Sequence, residues 1–213
     1  MRVVAALMDL AVGRRCLGCG QAGETWCEPC LRGVLDVHRC ETPDARTVVA
    51  ASHYGGAVRT AIVHHKEQGQ LALSAPLGRL LAAAISVDEW SATPVGPVLI
   101  PVPSTRAASR SRGHDHARRL ARAVGAVRSM PVEPSLRWGR AVKDQAGLSA
   151  RMRRENVRGA MVAAEPAIPG SPAWLVDDVL TTGATLDEGA RSLLSAGWRV
   201  VGVSVVAAVD ARR

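Results

Sequence analysis

Aromatic side chains are nearly absent from this sequence of 213 residues. It contains no phenylalanine and one tyrosine, and aromatic residues make up 3% of the chain. Valine, leucine and alanine must therefore fill the core, and base stacking on aromatic rings is disfavoured as the main way of binding single-stranded nucleic acid. Apolar residues account for 47% of the chain, which is ample for one domain of ordinary size with a small appended module.

Long hydrophobic runs and an export signal are also missing. The apolar stretch within residues 1–12 is interrupted by Asp9, and no small-residue cleavage signal follows it. We therefore expect a short packing helix there, no insertion into a membrane, and a location in the cytoplasm. In that compartment thiols stay reduced, and paired cysteines indicate a metal site rather than a disulfide.

Cysteine is scarce, but four of the five cysteines are paired by their spacing. The two Cys-x-x-Cys knuckles are Cys16 with Cys19 and Cys27 with Cys30. Four thiolates can close a tetrahedral zinc site that has no open position for substrate, so a structural Zn²⁺ is predicted. The alternatives are a disulfide and a redox dithiol, and the latter needs one knuckle rather than two. Cys40 is left over: it is a remnant of a second metal site with His38 or, as we favour, a thiol that binds no metal.

Acidic residues are few in the middle of the chain. Residues 101–160 carry fourteen Arg or Lys against four Asp or Glu, so the remainder of a chain with net charge +8 is net −2. A concentrated basic field suits a polyphosphate substrate or a nucleic acid. Solvated arginines on helix faces are the alternative explanation for part of this charge.

The most informative stretch is residues 174–186, where an apolar run ends in Asp177 and Asp178 and then turns through threonine and glycine. The run before Asp177 predicts a buried strand, and the apolar spacing after the turn predicts a helix that ends near Gly197. A loop between strand and helix offers free amide N–H groups and the positive end of the helix dipole. It therefore predicts a site for a monophosphate, with two carboxylates placed to accept hydrogen bonds from sugar hydroxyls.

This stretch resembles the 5-phosphoribosyl 1-diphosphate (PRPP) motif of the type I phosphoribosyltransferases. The resemblance implies that Asp177 and Asp178 hold the ribose. It also implies that the 5-phosphate is held by the loop residues Thr181, Thr182, Gly183, Ala184 and Thr185. An ordinary acidic strand end with a Thr-rich turn is the alternative, and the full string is far more specific than a lone Gly-rich loop.

Other segments predict the elements around this stretch. Val58, Ala61, Ile62 and His65 share one helical face, and Ser74 with Pro76 marks the start of a further helix. Residues 98–100 form a predicted buried strand that leads into a proline-braced loop, residues 101–106, where a second anion could dock. An amphipathic helix follows from about residue 117, and Ser149 is placed to cap a short helix. A final buried strand is predicted over residues 199–209.

His114 and His116 lie at the start of the predicted amphipathic helix. No third metal ligand stands near them in the sequence. Hydrogen bonding or solvation is therefore predicted for both, rather than a metal site.

Taken in order, these segments resemble the ComF family, which is associated with competence and DNA uptake, over nearly the whole chain. The first motif is carried by Tyr54, Gly56, Arg59, Lys66 and Gly69, the second by Pro101, Pro103, Arg106, Arg112 and Gly113, and the third by Gln145, Leu148, Arg154, Asn156 and Gly159. This chain has His114-Asp115-His116 where the family usually has Phe-Asn-Gln. It also retains only Cys40 of the family's second cysteine cluster, so one zinc ion is expected.

The resemblance implies an α/β protein with the type I phosphoribosyltransferase fold, a parallel Rossmann-like sheet with helices on both faces and the site at the carboxyl ends of its strands. The implied division is an N-terminal helix and zinc module in residues 1–45 and a phosphoribosyltransferase-like domain in residues 46–213. Besides Asp177 and Asp178, Arg106 is the first choice for a catalytic role. The candidates for binding the diphosphate are Lys66, Ser104, Thr105, Arg106, Arg110, Arg112 and Arg154, with Arg151 as a further loop contributor.

The function implied is binding of PRPP with Mg²⁺ and transfer of the phosphoribosyl group to a nitrogen acceptor, a pentosyl transfer of nucleoside metabolism. Two alternatives remain open at this stage. The protein is a PRPP or nucleotide sensor or adaptor without turnover, or it handles single-stranded DNA through its basic segment and zinc module, with DNA-uptake proteins as partners.

Overall fold

A computed structural model describes residues 15–86, 96–105, 115–142 and 149–209. Within these ranges the chain forms six α-helices and seven strands. The helices are α1 (Glu28–Gly33), α2 (Gly56–Glu67), α3 (Ser74–Ala83), α4 (His116–Arg128), α5 (Ala150–Val157) and α6 (Ala184–Ser195). The strands are β1 (His38–Glu41), β2 (Thr47–His53), β3 (Val98–Pro101), β4 (Leu136–Trp138), β5 (Met161–Ala163), β6 (Pro172–Leu180) and β7 (Arg199–Ala208). A short 3-10 turn, Leu71–Leu73, precedes α3.

The central sheet has five strands in the order β1-β2-β7-β6-β3. The pairs β2–β7, β7–β6 and β6–β3 are parallel, and β1 adds an antiparallel strand at the edge next to β2. The remaining two strands, β4 and β5, form a separate antiparallel pair. The predicted parallel α/β sheet is therefore confirmed.

Strands β6 and β7 form the middle of the sheet, and their packing explains two of their residues. The indole of Trp174 is fully buried, and its Nε1–H donates to Ser204 Oγ at 3.0 Å, which in turn donates to the Ala84 carbonyl at 2.8 Å. A Cβ at Gly202 would lie 2.4 Å from the Trp174 ring. Only glycine at position 202 therefore leaves room for the buried indole.

Helices cover both faces of the sheet, as predicted. Helices α2, α3 and α4 contribute buried residues to one core together with Trp174 and Val176, and α6 contributes to a second core with Leu175 and Val205. The apolar face predicted for α2 is confirmed as buried: Val58, Ala61, Ile62 and His65. The apolar residues of α3 and α4 are buried as well: Leu77, Leu80, Leu81 and Ala84; Ala117, Leu120, Ala121 and Val124.

The end of β6 differs from the sequence prediction. The strand was expected to finish before Asp177, but it continues to Leu180, because β7 pairs with it as far as Ala208. The two acids therefore lie within β6, near the carboxyl end at which they were expected, and Asp177 is paired with Val205 of β7.

Helix α5 begins as predicted, with the Ser149 hydroxyl accepting a hydrogen bond from the Met152 N–H at 3.3 Å. Within the described part of the chain, none of the helices has the length and hydropathy that a membrane span requires. The predicted helix of residues 1–12 lies outside the described residues.

Candidate functional site

Asp178 is the best-anchored side chain at the carboxyl end of β6. Its Oδ2 accepts a hydrogen bond from the Lys66 ammonium on α2 at 2.8 Å and lies 3.3 Å from Nε2 of His116 on α4. Burial disfavours the charged carboxylate, but the Lys66 ammonium and His116 outweigh it and hold the pKa of Asp178 well below its usual range. Asp178 is therefore a fixed anion that is stabilised by side chains from α2 and α4.

Asp177 has the opposite electrostatic setting. Burial, reinforced by the negative charge of Asp178, raises the pKa of Asp177 to about 8. Its Oδ1 accepts the backbone N–H of Asp178 at 2.8 Å, which fixes the orientation of the carboxyl group. The two adjacent acids thus differ in charge: one is a paired anion, and the other can either donate or accept a proton near neutral pH.

His116 also lies at this site. It is 5% exposed, and its Nδ1 lies 3.0 Å from the Ser104 hydroxyl, which confirms the hydrogen bonding predicted for it. Metal-ligand types that are distant from His116 in the sequence come close to it from β6, since a ligand atom from each of His116, Asp177 and Asp178 lies within 4.8 Å of the others. The signal lay in Asp115, which caps α4 by accepting from the Arg118 N–H at 3.2 Å and so turns His116 inward at the first helical position. His114 lies outside the described residues.

The predicted phosphate loop joins β6 to α6 as expected. Gly183 is the N-cap of α6 and has a φ of +76°, a left-handed conformation that favours glycine. The N–H of Asp187 donates to the Gly183 carbonyl at 2.9 Å, which closes the first helical turn. The loop therefore presents the start of a twelve-residue helix to the same edge of the sheet as Asp177.

Contacts between the β1–β2 turn and the start of α6 were not predicted from the sequence. The Thr42 hydroxyl, in the β1–β2 turn, donates to Oδ1 of Asp187, and Arg46 Nε lies 3.8 Å from the same oxygen. Burial raises the pKa of Asp187. A Cβ at Gly183 would lie 2.8 Å from Thr42 Cγ2. The β1–β2 turn thus fixes the loop from behind.

The proline-braced loop after β3 reaches the site through Ser104. Its backbone is held by the Val102 N–H, which donates to the Val176 carbonyl at 2.9 Å, and by the Trp138 indole, which donates to the Pro103 carbonyl at 2.9 Å. Ser104 Oγ thereby lies 3.0 Å from His116 Nδ1, and His116 Nε2 lies 3.3 Å from the Asp178 carboxylate. Thr105 follows directly, whereas Arg106, Arg110 and Arg112 lie outside the described residues.

Arg154 occupies a different place from Lys66 and Ser104. It lines a pocket of about 530 Å³ between α5 and α6, together with Arg151, Ala184 and Asp187. This pocket adjoins the phosphate loop through Ala184, and the described diphosphate candidates Lys66 and Ser104 do not line it. Among the diphosphate candidates in the described residues, Arg154 therefore lies apart from Lys66 and Ser104.

The four knuckle cysteines converge as predicted. The Sγ atoms of Cys16 and Cys27 are 3.5 Å apart and those of Cys19 and Cys27 are 3.8 Å apart, close to the separation of about 3.8 Å that two thiolates have in a tetrahedral zinc site. Burial opposes ionisation of Cys16, but N–H donors of the knuckles lower its pKa to about 6. A Cβ at Gly18 would lie 2.7 Å from that of Cys30. The cluster is compatible with a structural zinc ion.

No family model matches the sequence. The chain is 28% identical over 161 residues to "Competence protein F" of Haemophilus influenzae, and the match covers 74% of this chain and 70% of that protein. The chain is a homologue of competence protein F. The family predicted from the motifs is therefore supported by a relative that shares most of its length.

Shorter matches fall on adenine phosphoribosyltransferases. The chain is 55% identical over 38 residues to the protein of Clavibacter michiganensis subsp. michiganensis and 52% identical over 44 residues to that of Rhodococcus jostii. These matches cover 18% and 21% of this chain, and 22% and 25% of the two enzymes. With the parallel sheet and the loop at its edge, they identify the fold as that of the type I phosphoribosyltransferases.

Among solved structures, that of the allosteric regulatory enzyme of purine biosynthesis aligns with 61% of this chain. The TM-score is 0.41, the sequence identity is 23%, and the chain spans 24% of that protein.

Proposed function

We propose that this protein binds PRPP with Mg²⁺ at the carboxyl end of β6 and transfers its phosphoribosyl group to a nitrogen acceptor. The observation that carries the proposal is the arrangement of Asp177, Asp178 and the loop Thr181–Thr185, which together offer two carboxylates and a helix N-terminus at one edge of a parallel sheet. Open α/β sheets bind their ligands at this edge. The competence association of the Haemophilus influenzae relative is proposed for this protein as well.

The ribose and its phosphate would be held by different groups. The amide N–H groups at the start of α6 and the hydroxyls of Thr181, Thr182 and Thr185 are suited to the 5-phosphate. Asp177, whose half-buried carboxyl has a pKa raised to about 8 by burial and by Asp178, is suited to the vicinal hydroxyls, since it can accept from one and donate to another. Asp178 supplies a fixed negative charge beside the carbon at which positive charge develops.

The site also fits Mg²⁺ on the chemistry of its donors. Mg²⁺ prefers oxygen ligands, and of the cluster His116, Asp177 and Asp178 the two carboxylates are suitable while the imidazole is not. Bound with the substrate, Mg²⁺ would neutralise the charge of the diphosphate leaving group. The protein's own residues would position the sugar and neutralise the remaining negative charge of the diphosphate. The candidates for that role are Lys66, Ser104, Thr105, Arg106, Arg110, Arg112 and Arg154.

Cysteine residues 16, 19, 27 and 30 would hold a structural Zn²⁺ away from the chemistry, since a four-thiolate site has no open position. We keep the division into an N-terminal zinc module, residues 1–45, and a phosphoribosyltransferase-like domain, residues 46–213, as part of the proposal.

A fragment series tests the proposal. Mg²⁺-PRPP, ribose 5-phosphate and diphosphate are titrated separately, and PRPP is expected to bind more tightly than either fragment because it engages both parts of the site. Equal affinity for PRPP and for diphosphate alone would contradict a ribose site at Asp177. A screen of nucleobases and amines for diphosphate release then separates an enzyme from a PRPP sensor.

The basic helix α5 favours single-stranded DNA as a second candidate ligand. Arg151, Arg154 and Arg158 are all exposed on it or at its end. Binding that rests on phosphate contacts weakens steeply with salt. If the protein does not bind single-stranded DNA even at low salt, this candidate is eliminated while the PRPP proposal is unaffected.

A further inference from the structure

A cluster of two histidines and one carboxylate lies at the sheet edge formed by β1 and β2. His38 is the first residue of β1, His53 is the last residue of β2, and Asp36 precedes β1. The pairing of these antiparallel strands, with the Asp36 N–H donating to the Ala51 carbonyl at 2.9 Å, brings the three side chains together. The cluster shares no residue with the four-cysteine site or with the proposed PRPP site.

We propose that Asp36, His38 and His53 form a surface site for a divalent transition-metal cation of the borderline class, such as Zn²⁺ or Ni²⁺. A carboxylate oxygen and one ring nitrogen from each histidine lie within 4.8 Å of one another. Imidazole nitrogens with one carboxylate are a donor set that these cations bind well, whereas Mg²⁺ and Ca²⁺ require oxygen.

A hydrogen bond of His38 leaves one of its ring nitrogens available to bind the cation. Nδ1 of His38 is 2.7 Å from the Asp36 carbonyl oxygen, and because a carbonyl can only accept, Nδ1 carries the proton and Nε2 is left as the ligand atom. A metal-binding histidine whose other nitrogen donates to a backbone carbonyl is a recurrent arrangement, since that bond fixes the ring.

His53 and Asp36 already contact each other through the atoms that would bind the cation. His53 Nε2 is 3.0 Å from Asp36 Oδ2, so in the absence of metal Nε2 carries a proton. A cation that binds here takes the place of that proton. The exposed ion pair alone contributes little to stability, because its side chains are 48% and 65% exposed.

The two histidine rings of the cluster are stacked on each other. The His38 and His53 rings are 4.3 Å apart with planes 11° from parallel. Donor atoms of a tetrahedral site with bonds near 2.05 Å are about 3.3 Å apart, so donor atoms that lie within 4.8 Å of one another must approach by up to about 1.5 Å. His53 and Asp36 are exposed, which allows this movement and gives water access to a bound cation.

The test is a titration of Ni²⁺ into the full-length, zinc-loaded protein, followed by calorimetry and by NMR of the histidine ring signals. The wild type is expected to bind Ni²⁺ at His38 and His53, with affinity falling at least about tenfold in His38→Ala and in His53→Ala. His64→Ala, which removes a half-buried histidine of α2 outside the cluster, is expected to bind as the wild type does.

Three results would overturn the proposal. They are no Ni²⁺ binding by the wild type, an affinity of His38→Ala and His53→Ala equal to that of the wild type, and binding that disappears in His116→Ala instead. Zinc content and urea unfolding verify that each variant is folded, so that a loss of Ni²⁺ binding reports on the cluster itself.

Discussion

Lys66 and Asp178 show how a single ion pair can organise a site. The sequence predicts Lys66 as a ligand of diphosphate, and the structure places its ammonium on the Asp178 carboxylate. The pair holds α2 against the end of β6, and it keeps Asp178 ionised in a buried position. A diphosphate bound here would meet an ammonium that is already shared with an acid.

Replacing Lys66 by methionine keeps most of the apolar stem but removes the charge. Because a buried carboxylate then loses its partner, we expect a loss of about 1 to 2 kcal/mol of unfolding free energy, less than for a fully buried pair since Lys66 is partly exposed. Urea unfolding measures this change. Arg59→Met, at an exposed position of the same helix, is the control. Equal losses of unfolding free energy in the two variants would contradict a stabilising role of the Lys66–Asp178 pair.

Gly183 combines a left-handed backbone with a close neighbour. In Gly183→Ala the new Cβ is strained at φ +76° and also approaches Thr42, so the loop must shift and PRPP affinity should fall with stability. Gly197→Ala is the matched control, because Gly197 has a φ of +91° with no atom within 4 Å of the added Cβ. It should show only the backbone cost of about 1 to 2 kcal/mol.

A similar loss of stability in the two variants, with PRPP affinity unchanged, would mean that the Thr42 contact does not shape the loop. Urea unfolding and calorimetry with Mg²⁺-PRPP supply the two readouts.

At the scale of elements, Glu188 ties α6 to β5. Its carboxylate, which is 4% exposed, accepts the N–H groups of Gly159 at 3.0 Å and Met161 at 2.9 Å, and it pairs with Arg191 at 2.8 Å. Burial opposes its charge, but Arg191 and the two N–H groups lower the pKa of Glu188 overall. This carboxylate anchors the second sheet to the helix that carries the phosphate loop.

Glu188→Gln should therefore change both stability and its dependence on acid. A lowered folded-state pKa gives stability that is present above the unfolded value of about 4.3 and is lost as pH falls through the folded value. We expect the variant to be about 1 to 3 kcal/mol less stable at pH 7 and to lose less stability below pH 4 than the wild type. Urea unfolding across pH measures this.

Glu155→Gln serves as the control, because Glu155 forms an exposed i,i+4 pair with Arg151. Its expected effect is within about 0.5 kcal/mol. An acid dependence in Glu188→Gln identical to that of the wild type would show that Glu188 is not ionised by these contacts.

The elements that the sequence predicted correctly are those specified by local periodicity. The buried faces of α2, α3 and α4, the Ser149 cap of α5 and the end of α6 near Gly197 follow from residues a few positions apart. The contacts that were missed join distant segments: Thr42 meets Asp187 across 145 positions, and Lys66 meets Asp178 across 112. The extension of β6 to Leu180 likewise depends on pairing with β7, which spacing within β6 cannot reveal.

For the whole molecule, the cysteine cluster is expected to stabilise the N-terminal segment through zinc. Cys16 and Trp26 belong to the same buried core as Leu77 and Leu81 of α3. Loss of the ion should therefore destabilise this core as well as the two knuckles. Cys30→Ser should weaken the thiolate charge-transfer absorption of the Co²⁺-substituted protein, since one of four thiolates is lost, and lower the melting temperature. Cys40→Ser, outside the knuckles, should retain both.

If Cys30→Ser keeps the cobalt–thiolate band and the melting temperature of the wild type, the four cysteines do not form one metal site. The Cys40→Ser variant separates this outcome from a general effect of losing a thiol, since each variant removes one sulfur.

The central claim is that the end of β6 and the following loop bind PRPP, and calorimetric titration with Mg²⁺-PRPP tests it most directly. We predict saturable binding by the wild type and a loss of at least about tenfold in affinity in Asp177→Ala, which removes the carboxyl group that would contact the two ribose hydroxyls, at about 0.5 to 1.5 kcal/mol for each hydrogen bond. Glu165→Gln, at an exposed acid between β5 and β6, should bind as the wild type does. Absence of binding at saturating Mg²⁺, or equal affinity in Asp177→Ala and the wild type, would contradict the claim.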